Sequence, residues 1–168
     1  MIKFIRFFNR FTTGVTLAAI LVSAVFVVPG LAGIRPYIVR SGSMEPVIHT
    51  GSVAFINHQD KEPQPGDIVT YRLTGPSGQE TLVTHRVVRV RGGIYTTRGD
   101  ANQTEDLAPV FRKQLVGTYL YQIPYAGYLM AGMNRKTALA ALVWLVFLNG
   151  SSMAMGWASK DPSPRNLP

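Results

Sequence analysis

Two long stretches without a charged residue constrain this chain more than any other feature. Residues 11–34 and 137–159 contain no Asp, Glu, Lys or Arg and consist mostly of apolar side chains. A helix of about 20 apolar residues is long enough to cross the hydrocarbon core of a bilayer. We therefore expect two transmembrane helices, with the lipid bilayer as a partner of the chain. A soluble protein with two buried core helices is the alternative.

The N-terminus predicts how the chain is oriented. Residues 1–10 hold Lys3, Arg6 and Arg10 and no acid. Such a start also occurs in cleavable signal peptides, but the apolar stretch here exceeds their usual core of about 7–15 residues. We expect a retained anchor with a cytoplasmic N-terminus. The region between the helices then lies outside the cytoplasm, and the tail, residues 160–168, returns inside. Two basic residues just before the second stretch favour the opposite orientation.

Composition excludes several kinds of site. The net charge of +8 is spread along the chain, without the interleaving of aromatic and basic residues that favours RNA or DNA binding. We expect no nucleic acid partner and attribute the charge to attraction towards anionic lipid headgroups. The chain has no cysteine, which excludes disulfides, thiolate catalysis and zinc–thiolate sites.

The region between the helices has the composition of a β-domain. Its strand-like segments are rich in Val, Ile, Thr and Tyr and are separated by Gly, Pro, Asn and Asp. The predicted strands are residues 52–57, 67–73, 81–91, 94–98 and 115–122. We therefore predict a mainly β domain over residues 35–122.

A short apolar segment precedes the second helix. Residues 123–136 include Tyr125 and Tyr128, and tyrosine favours the headgroup region of a membrane. We predict an interfacial segment here. A strand or helix buried in the core of the β-domain is the alternative.

A serine shortly after the first helix is a candidate nucleophile. Residues 41–46 read Ser-Gly-Ser-Met-Glu-Pro. Glycine lets the backbone approach a substrate closely, and proline stiffens the exit from a turn. Ser-Gly-Ser alone is also a common flexible loop, and serine is a weak nucleophile unless a base accepts its proton.

His85 is the candidate base, and counting along a hairpin gives it an acidic partner. His85 lies in a predicted strand, on the same face as Val83 and Val87. A two-residue turn at residues 92–93 would place His85 directly opposite Asp100. A lone strand histidine is usually structural, whereas one held by a carboxylate and facing a serine follows the logic of a catalytic triad.

The acids of residues 98–106 have a second interpretation as a surface loop or a weak calcium site. Their spacing does not match an EF-hand, so we expect no metal.

Four short motifs together resemble the signal peptidase I family. They are Ser-Gly-Ser-Met-Glu-Pro at 41–46, Pro-Gly-Asp-Ile-Val at 65–69, Thr-His-Arg-Val-Val at 84–88 and Gly-Asp-Ala-Asn at 99–102. Their order and approximate spacing after an N-terminal anchor are those of the family. Typical bacterial members use a serine–lysine dyad, whereas the endoplasmic-reticulum type, shared with archaea and some Gram-positive bacteria, has histidine in the lysine position. With His85 there, the chain is similar to the second type.

The resemblance implies a role for each site residue. Ser43 is the nucleophile, His85 the general base and Asp106 the triad acid, while Asp100 matches a second acid important for the site. The Ser43 backbone N–H forms the oxyanion hole, to which Ser41 contributes in the serine–lysine type. The register count instead favours Asp100 as the acid opposite His85. We favour Asp106 and expect Asp100 to hold its loop, through backbone N–H groups or Arg98.

The resemblance also implies a fold and a function. It implies a partly open β-barrel between two transmembrane helices, and a serine endopeptidase that removes signal peptides from secretory preproteins. Substrates would carry small residues at positions −1 and −3 and bind as an added strand, without a cofactor. The expected location is the plasma membrane, or the endoplasmic reticulum in a eukaryote. The resemblance implies no choice between an enzyme that acts alone and one that needs accessory subunits. The rivals are a self-cleaving repressor-type peptidase, which uses lysine and lacks anchors, and a non-catalytic membrane β-protein for assembly or adhesion.

Overall fold

The chain divides into two compact units in a computed structural model that describes residues 2–75, 77–132 and 135–158. One unit comprises Met1–Val25 and Met133–Pro168, and the other is Phe26–Gly132. The second unit carries the strands found in the described residues. The helices are α1 Ile2–Leu31, α2 Ala126–Ala131 and α3 Arg135–Ala158, with a 3₁₀ turn at Arg112–Gln114. The strands are β1 Ile34–Ile38, β2 Val53–Asn57, β3 Ile68–Thr74, β4 Glu80–Arg91, β5 Ile94–Arg98, β6 Val110–Phe111 and β7 Leu115–Ile123.

Both long helices meet the requirements of a membrane span. Lys3–Leu31 and Leu139–Trp157 are apolar and long enough to cross a bilayer, and almost none of either segment is buried inside the protein. Buried core helices of a soluble protein would be covered, so their exposure argues against that alternative. The helix α1 ends before residue 34 because Ala32 and Gly33 close it with tight backbone turns, Gly33 at φ +73°. Ile34 therefore belongs to β1.

Polar side chains join α1 to α3 within the first unit. Thr12 Oγ1 lies 3.2 Å from Ser152 Oγ, and both residues are buried. One turn further along, Asn149 Nδ2 donates to Thr16 Oγ1 at 2.8 Å. Such hydrogen bonds satisfy polar side chains that would otherwise face hydrocarbon.

The strands form an open antiparallel sheet. Its order is β1-β2-β7-β3-β4-β5-β6, and neighbouring strands are antiparallel throughout the described residues. The long strand β4 changes partner along its length: residues 80–86 pair with β3 and residues 86–91 with β5. Among the described residues, β1 and residues 80–85 of β4 therefore each have one edge without a neighbouring strand. The mainly β fold with two flanking helices is confirmed.

Two apolar clusters hold the sheet and the turn that follows β1. The larger consists of Val69, Tyr71, Val87, Tyr95, Val110 and Leu115. The smaller packs Met44 and Ile48, from the segment predicted to carry the nucleophile, against Ile68 of β3. The sheet core and the segment around Ser43 are thus joined by apolar contact.

The predicted hairpin register is correct near the turn and wrong at His85. Arg91 pairs with Ile94 and Arg89 with Thr96, as the count requires, but a bulge between Val87 and Arg89 shifts the pairing by one residue. Beyond it Arg86 pairs with Arg98, so Asp100 does not lie opposite His85. A bulge leaves one residue unpaired and cannot be found by counting from the turn.

Candidate active site

A tight turn presents Ser43 beside the sheet. Backbone hydrogen bonds run from Glu45 N–H to Gly42 O at 3.0 Å and from Ile48 N–H to Met44 O at 2.9 Å. Met44 and Ile48 are almost fully buried, whereas Ser43 is partly exposed. The apolar neighbours therefore fix the turn and leave the serine accessible. Ser41 Oγ lies 3.5 Å from Ser43 Oγ.

The turn at residues 99–102 supports the backbone of Ser43. Ala101 N–H donates to the Ser43 carbonyl at 2.9 Å. A Cβ at Gly99 would lie 2.6 Å from that carbonyl oxygen and 2.8 Å from Asn102 Nδ2. Glycine is therefore required at this position, because any side chain would push the turn that carries Ser43 away.

Arg86 clamps this turn through Asp100. Arg86 Nε and Nη2 bind the two Asp100 oxygens at 2.8 and 2.6 Å, and Nη1 donates to Gly66 O at 2.7 Å. The hydrogen bond to Asp100 raises the pKa of Arg86. The partner of Asp100 is thus Arg86 rather than the expected Arg98, and Arg86 joins three of the sequence motifs.

His85 is held by Asp106, which lies beyond the hairpin. The imidazole is buried, and its Nδ1 lies 2.6 Å from Asp106 Oδ2. The same oxygen accepts a hydrogen bond from Thr97 Oγ1 at 2.7 Å, while Asp106 N–H donates to Thr97 O at 2.8 Å. Because the carboxylate can only accept, Nδ1 carries the proton, and a neutral imidazole keeps a free lone pair on Nε2.

Tyr71 adds a further donor to Asp106. Its hydroxyl donates to Asp106 Oδ2 at 3.3 Å, and its ring meets the His85 ring edge-on. The pKa of Tyr71 is raised to about 12, and burial is the largest cause. The hydrogen bond with Thr97 lowers this pKa, and Asp106 raises it by a smaller amount. The hydroxyl therefore keeps its proton across the physiological range and remains a donor.

The candidate nucleophile and the candidate base face one groove. Ser41, Ser43, His85 and Asn102 all line a groove of about 900 Å³. Within the described chain the Ser43 hydroxyl contacts Ser41 and makes no hydrogen bond to His85. Catalytic hydrogen bonds are often long in a free enzyme and tighten when substrate binds.

The other histidines have different contacts. His58 Nε2 lies 2.9 Å from Tyr37 OH, and His49 stacks on Tyr125. Of the three, His85 is the one whose ring contacts a carboxylate in the described structure.

The end of β7 braces the turn that carries Ser43. The Gln122 amide accepts from His49 N–H at 3.1 Å and donates to Val47 O at 2.7 Å. Val47 and His49 follow Ser43 closely, so β7 holds the second half of its turn.

Two glycines allow α2 to approach the same turn. Gly127 N–H donates to Gly51 O at 2.8 Å, and a Cβ on Gly127 would lie 2.7 Å from that oxygen. Gly51 has φ +80°, and the Tyr128 ring covers the space that its Cβ would fill. Tyr128 and Tyr125 are nevertheless mostly exposed. The helix thus contacts the turn through Gly127 and Tyr128 while much of both tyrosine side chains remains accessible.

Comparison with known proteins identifies the family. The profile described as signal peptidase, peptidase S26, matches residues 10–100, more than half of the chain. The chain belongs to the signal peptidase S26 family. The resemblance drawn from the four motifs is confirmed.

Curated relatives are signal peptidase complex catalytic subunits SEC11 from yeasts. The protein of Clavispora lusitaniae is 36% identical over 103 residues, which cover 54% of this chain and 60% of that protein. That of Candida albicans (strain SC5314) is 35% identical over the same length, and that of Debaryomyces hansenii 33% over 105 residues. The chain spans about three fifths of the length of these relatives.

Sequence reasoning missed the residues that surround the family motifs. Tyr71 and Thr97 lie in predicted strands at buried positions, and both contact Asp106. A polar residue on the apolar face of a strand is the signal that could have identified them, because a buried hydroxyl needs a partner. Arg86, within the Thr-His-Arg-Val-Val motif, carried no such signal.

Proposed function

We propose that this chain is a membrane-bound serine endopeptidase that removes N-terminal signal peptides from exported preproteins. The main observation in support is the buried His85–Asp106 pair, which shares a groove with an accessible Ser43. A groove with a serine, an oriented imidazole and free strand edges can bind an extended peptide and attack it. Membership of the signal peptidase family and the names of the SEC11 relatives favour signal peptides as the substrate.

Acylation uses Ser43 and His85. The Ser43 hydroxyl attacks the scissile carbonyl while His85 Nε2 accepts its proton. Asp106 accepts the hydrogen bond from Nδ1–H and stabilises the imidazolium that forms. The Ser43 backbone N–H and the Ser41 hydroxyl are the proposed oxyanion donors, each worth about 2.7–4 kcal/mol of barrier in comparable enzymes.

Acylation is complete when the imidazolium protonates the leaving amine and the new N-terminus of the mature protein departs. Deacylation then uses the same groups with water in place of the serine hydroxyl. A water molecule then loses a proton to His85 and attacks the acyl-enzyme, which releases the signal peptide and regenerates Ser43. Asp100 has a positioning role in this scheme, because it binds Arg86 and its turn supports the Ser43 carbonyl.

The open sheet favours binding of the substrate as an additional strand. The groove is lined by Pro36 and Ile38 of β1 and by residues 80–85 of β4, whose facing edges lack a strand partner among the described residues. Backbone hydrogen bonds to these edges would align an extended peptide past Ser43. Small side chains at −1 and −3, which the family resemblance implies, then face the sheet.

The two long helices are proposed to cross the membrane. Lys3, Arg6 and Arg10 favour a cytoplasmic N-terminus and an extracytoplasmic catalytic domain at the membrane surface. The plasma membrane is the proposed location, or the endoplasmic reticulum in a eukaryotic host. The relatives are named as subunits of a signal peptidase complex, so pull-down of the tagged full chain tests whether accessory subunits bind it.

A serine-directed acylating probe distinguishes the proposal from a non-catalytic membrane β-protein for assembly or adhesion. The full chain in lipid or detergent should be labelled and should cleave a preprotein, whereas Ser43→Ala should do neither. Ser77→Ala, in the loop between β3 and β4, is the matched control and should behave as wild type. Equal labelling of wild type and Ser43→Ala would contradict the proposed nucleophile, and absence of both activities would favour the non-catalytic protein.

A further inference from the structure

The groove continues past the catalytic residues to a pair of charged side chains. A second depression of about 270 Å³ is lined by Tyr37, Arg72, Glu80 and Leu82, among others. Tyr37, Glu80 and Leu82 also line the groove that contains Ser43 and His85. The two depressions are therefore adjoining parts of one surface, with the catalytic residues in one part and Arg72 in the other.

Strand register places the charged pair on a face of the sheet that points to the groove. Arg72 pairs with Leu82 and Thr74 with Glu80, so Arg72 and Glu80 are diagonal neighbours on one face. Arg72 Nε lies 4.0 Å from Glu80 Oε2, and both side chains are about 60% exposed. Such a loose, solvated pair leaves both charges available to a ligand.

Spacing along β4 relates this pair to the scissile bond. Thr84, Leu82 and Glu80 share one face of β4, and Thr84 directly precedes His85 in the strand. A substrate recognised through positions −1 and −3 has its N-terminal side in the groove, and its side chains repeat with the same period of two residues. Each step of two residues advances an extended chain by about 6.6 Å. If −1 lies near Thr84 and −3 near Leu82, then −5 lies near Glu80 and Arg72.

The electrostatic surroundings at this end are predominantly positive. His58, which contacts Tyr37, has its pKa lowered by burial first and then by Arg35, Lys61 and Arg72. Glu80 is the acid that lines the depression. A side chain bound there would experience several cations and one nearby carboxylate.

We infer that Arg72 and Glu80 form a specificity subsite for the residue at position −5 of the substrate, and that it favours an acidic over a basic side chain. The inference rests on the proposed function, since it assumes a peptide in the groove. Arg72 attracts a carboxylate, and Glu80 orients the guanidinium and attracts a polar donor. Because both groups are solvated, the selectivity is modest.

Peptide substrates that differ in one charge test the subsite. The full chain in lipid vesicles is given three peptides with small residues at −1 and −3 and Glu, Ser or Lys at −5. We expect kcat/KM to fall in the order Glu, Ser, Lys, with about two- to fivefold between the extremes, the range of a solvated ion pair. Arg72→Glu should reverse the order, and Glu80→Lys should strengthen the preference for Glu.

A matched variant and a matched peptide series provide the controls. Arg112→Glu changes the same charge in another exposed ion pair, with Glu62, whose residues do not line the groove; it should keep the wild-type order. The same three side chains placed at +5 should give equal rates. A flat series at −5, sensitivity at +5 in its place, or reversal by Arg112→Glu would overturn the subsite.

Binding separates the subsite from the proposed chemistry. Labelled peptides of the same series are titrated onto the Ser43→Ala protein, which cannot acylate. Affinities in the order Glu, Ser, Lys support the subsite even if wild type cleaves none of the peptides, an outcome that would reject the proposed function alone. Equal affinities together with equal cleavage rates would reject the subsite and leave the proposed function intact.

Discussion

The two sides of the candidate site are built in different ways. His85 lies in the middle of the long strand β4, is buried, and meets a carboxylate that two hydroxyl groups also bind. Ser43 lies on an irregular turn, is partly exposed, and depends on supports from outside the turn. The sheet thus orients the proposed base, whereas separate contacts from the 99–102 turn, β7 and α2 position the proposed nucleophile. The comparison predicts that the two sides respond differently to substitution.

Ser43→Ala should have the largest effect on activity and almost none on folding. It removes one hydroxyl whose described contact is a 3.5 Å approach to Ser41. Cleavage of a preprotein should fall to background, while the thermal unfolding transition stays within about 2 °C, as expected for a substitution worth under about 0.5 kcal/mol. Near-normal cleavage would remove Ser43 from its proposed role.

Asp106→Asn should nearly abolish activity through the base side of the site. An amide can favour the wrong tautomer of His85, and in a comparable triad this change lowers kcat by about 10⁴-fold. The change in kcat should appear with a soluble peptide as well as a preprotein. An Asp106→Asn enzyme with kcat close to wild type would show that another group orients His85.

Asp100→Asn provides the contrasting test on the nucleophile side. It weakens a bidentate ion pair with Arg86, so activity and melting temperature should fall together. Arg86→Lys should reproduce the loss in part, because lysine cannot bind both carboxylate oxygens in the same planar geometry. A stable but inactive Asp100→Asn beside an active Asp106→Asn would reverse the roles proposed for the two acids.

Gly127→Ala should lower activity while leaving the base side intact. The added methyl would lie 2.7 Å from Gly51 O and 2.9 Å from Ile38 Cγ2, so α2 must move away from the turn that carries Ser43. We expect kcat to fall by about tenfold, a barrier change of about 1.4 kcal/mol. Gly132→Ala, whose Cβ would meet its nearest atom at 3.8 Å, is the matched control. Equal kcat values for the two variants would show that α2 does not position the nucleophile.

Tyr71→Phe should give the smallest change in activity and a distinct pH signature. Asp106 keeps its bond from Thr97, so kcat should fall by less than about tenfold. In the folded protein the pKa of Tyr71 is raised to about 12, whereas an unfolded tyrosine titrates near about 10. The stabilisation is complete below about pH 10 and is lost as the pH rises towards about 12. The melting temperature should fall less steeply over this range in Tyr71→Phe than in wild type.

The sequence determined the two apolar helices, the mainly β region and the family, because apolar length, residue alternation and short motifs are local properties. It also identified Ser43, His85 and both acids as the candidate site residues.

The tertiary structure decided which of these residues contact one another. Because of the bulge between Val87 and Arg89, Asp100 binds Arg86 and does not lie opposite His85. The chain beyond β5 folds back so that Asp106 binds the imidazole. The strand β1 was not predicted, because it contains a proline and directly follows an apolar segment. Its pairing with β2 defines it as a strand. Pairing between distant strands depends on side chains that meet only after folding, and a one-residue shift changes every later partner.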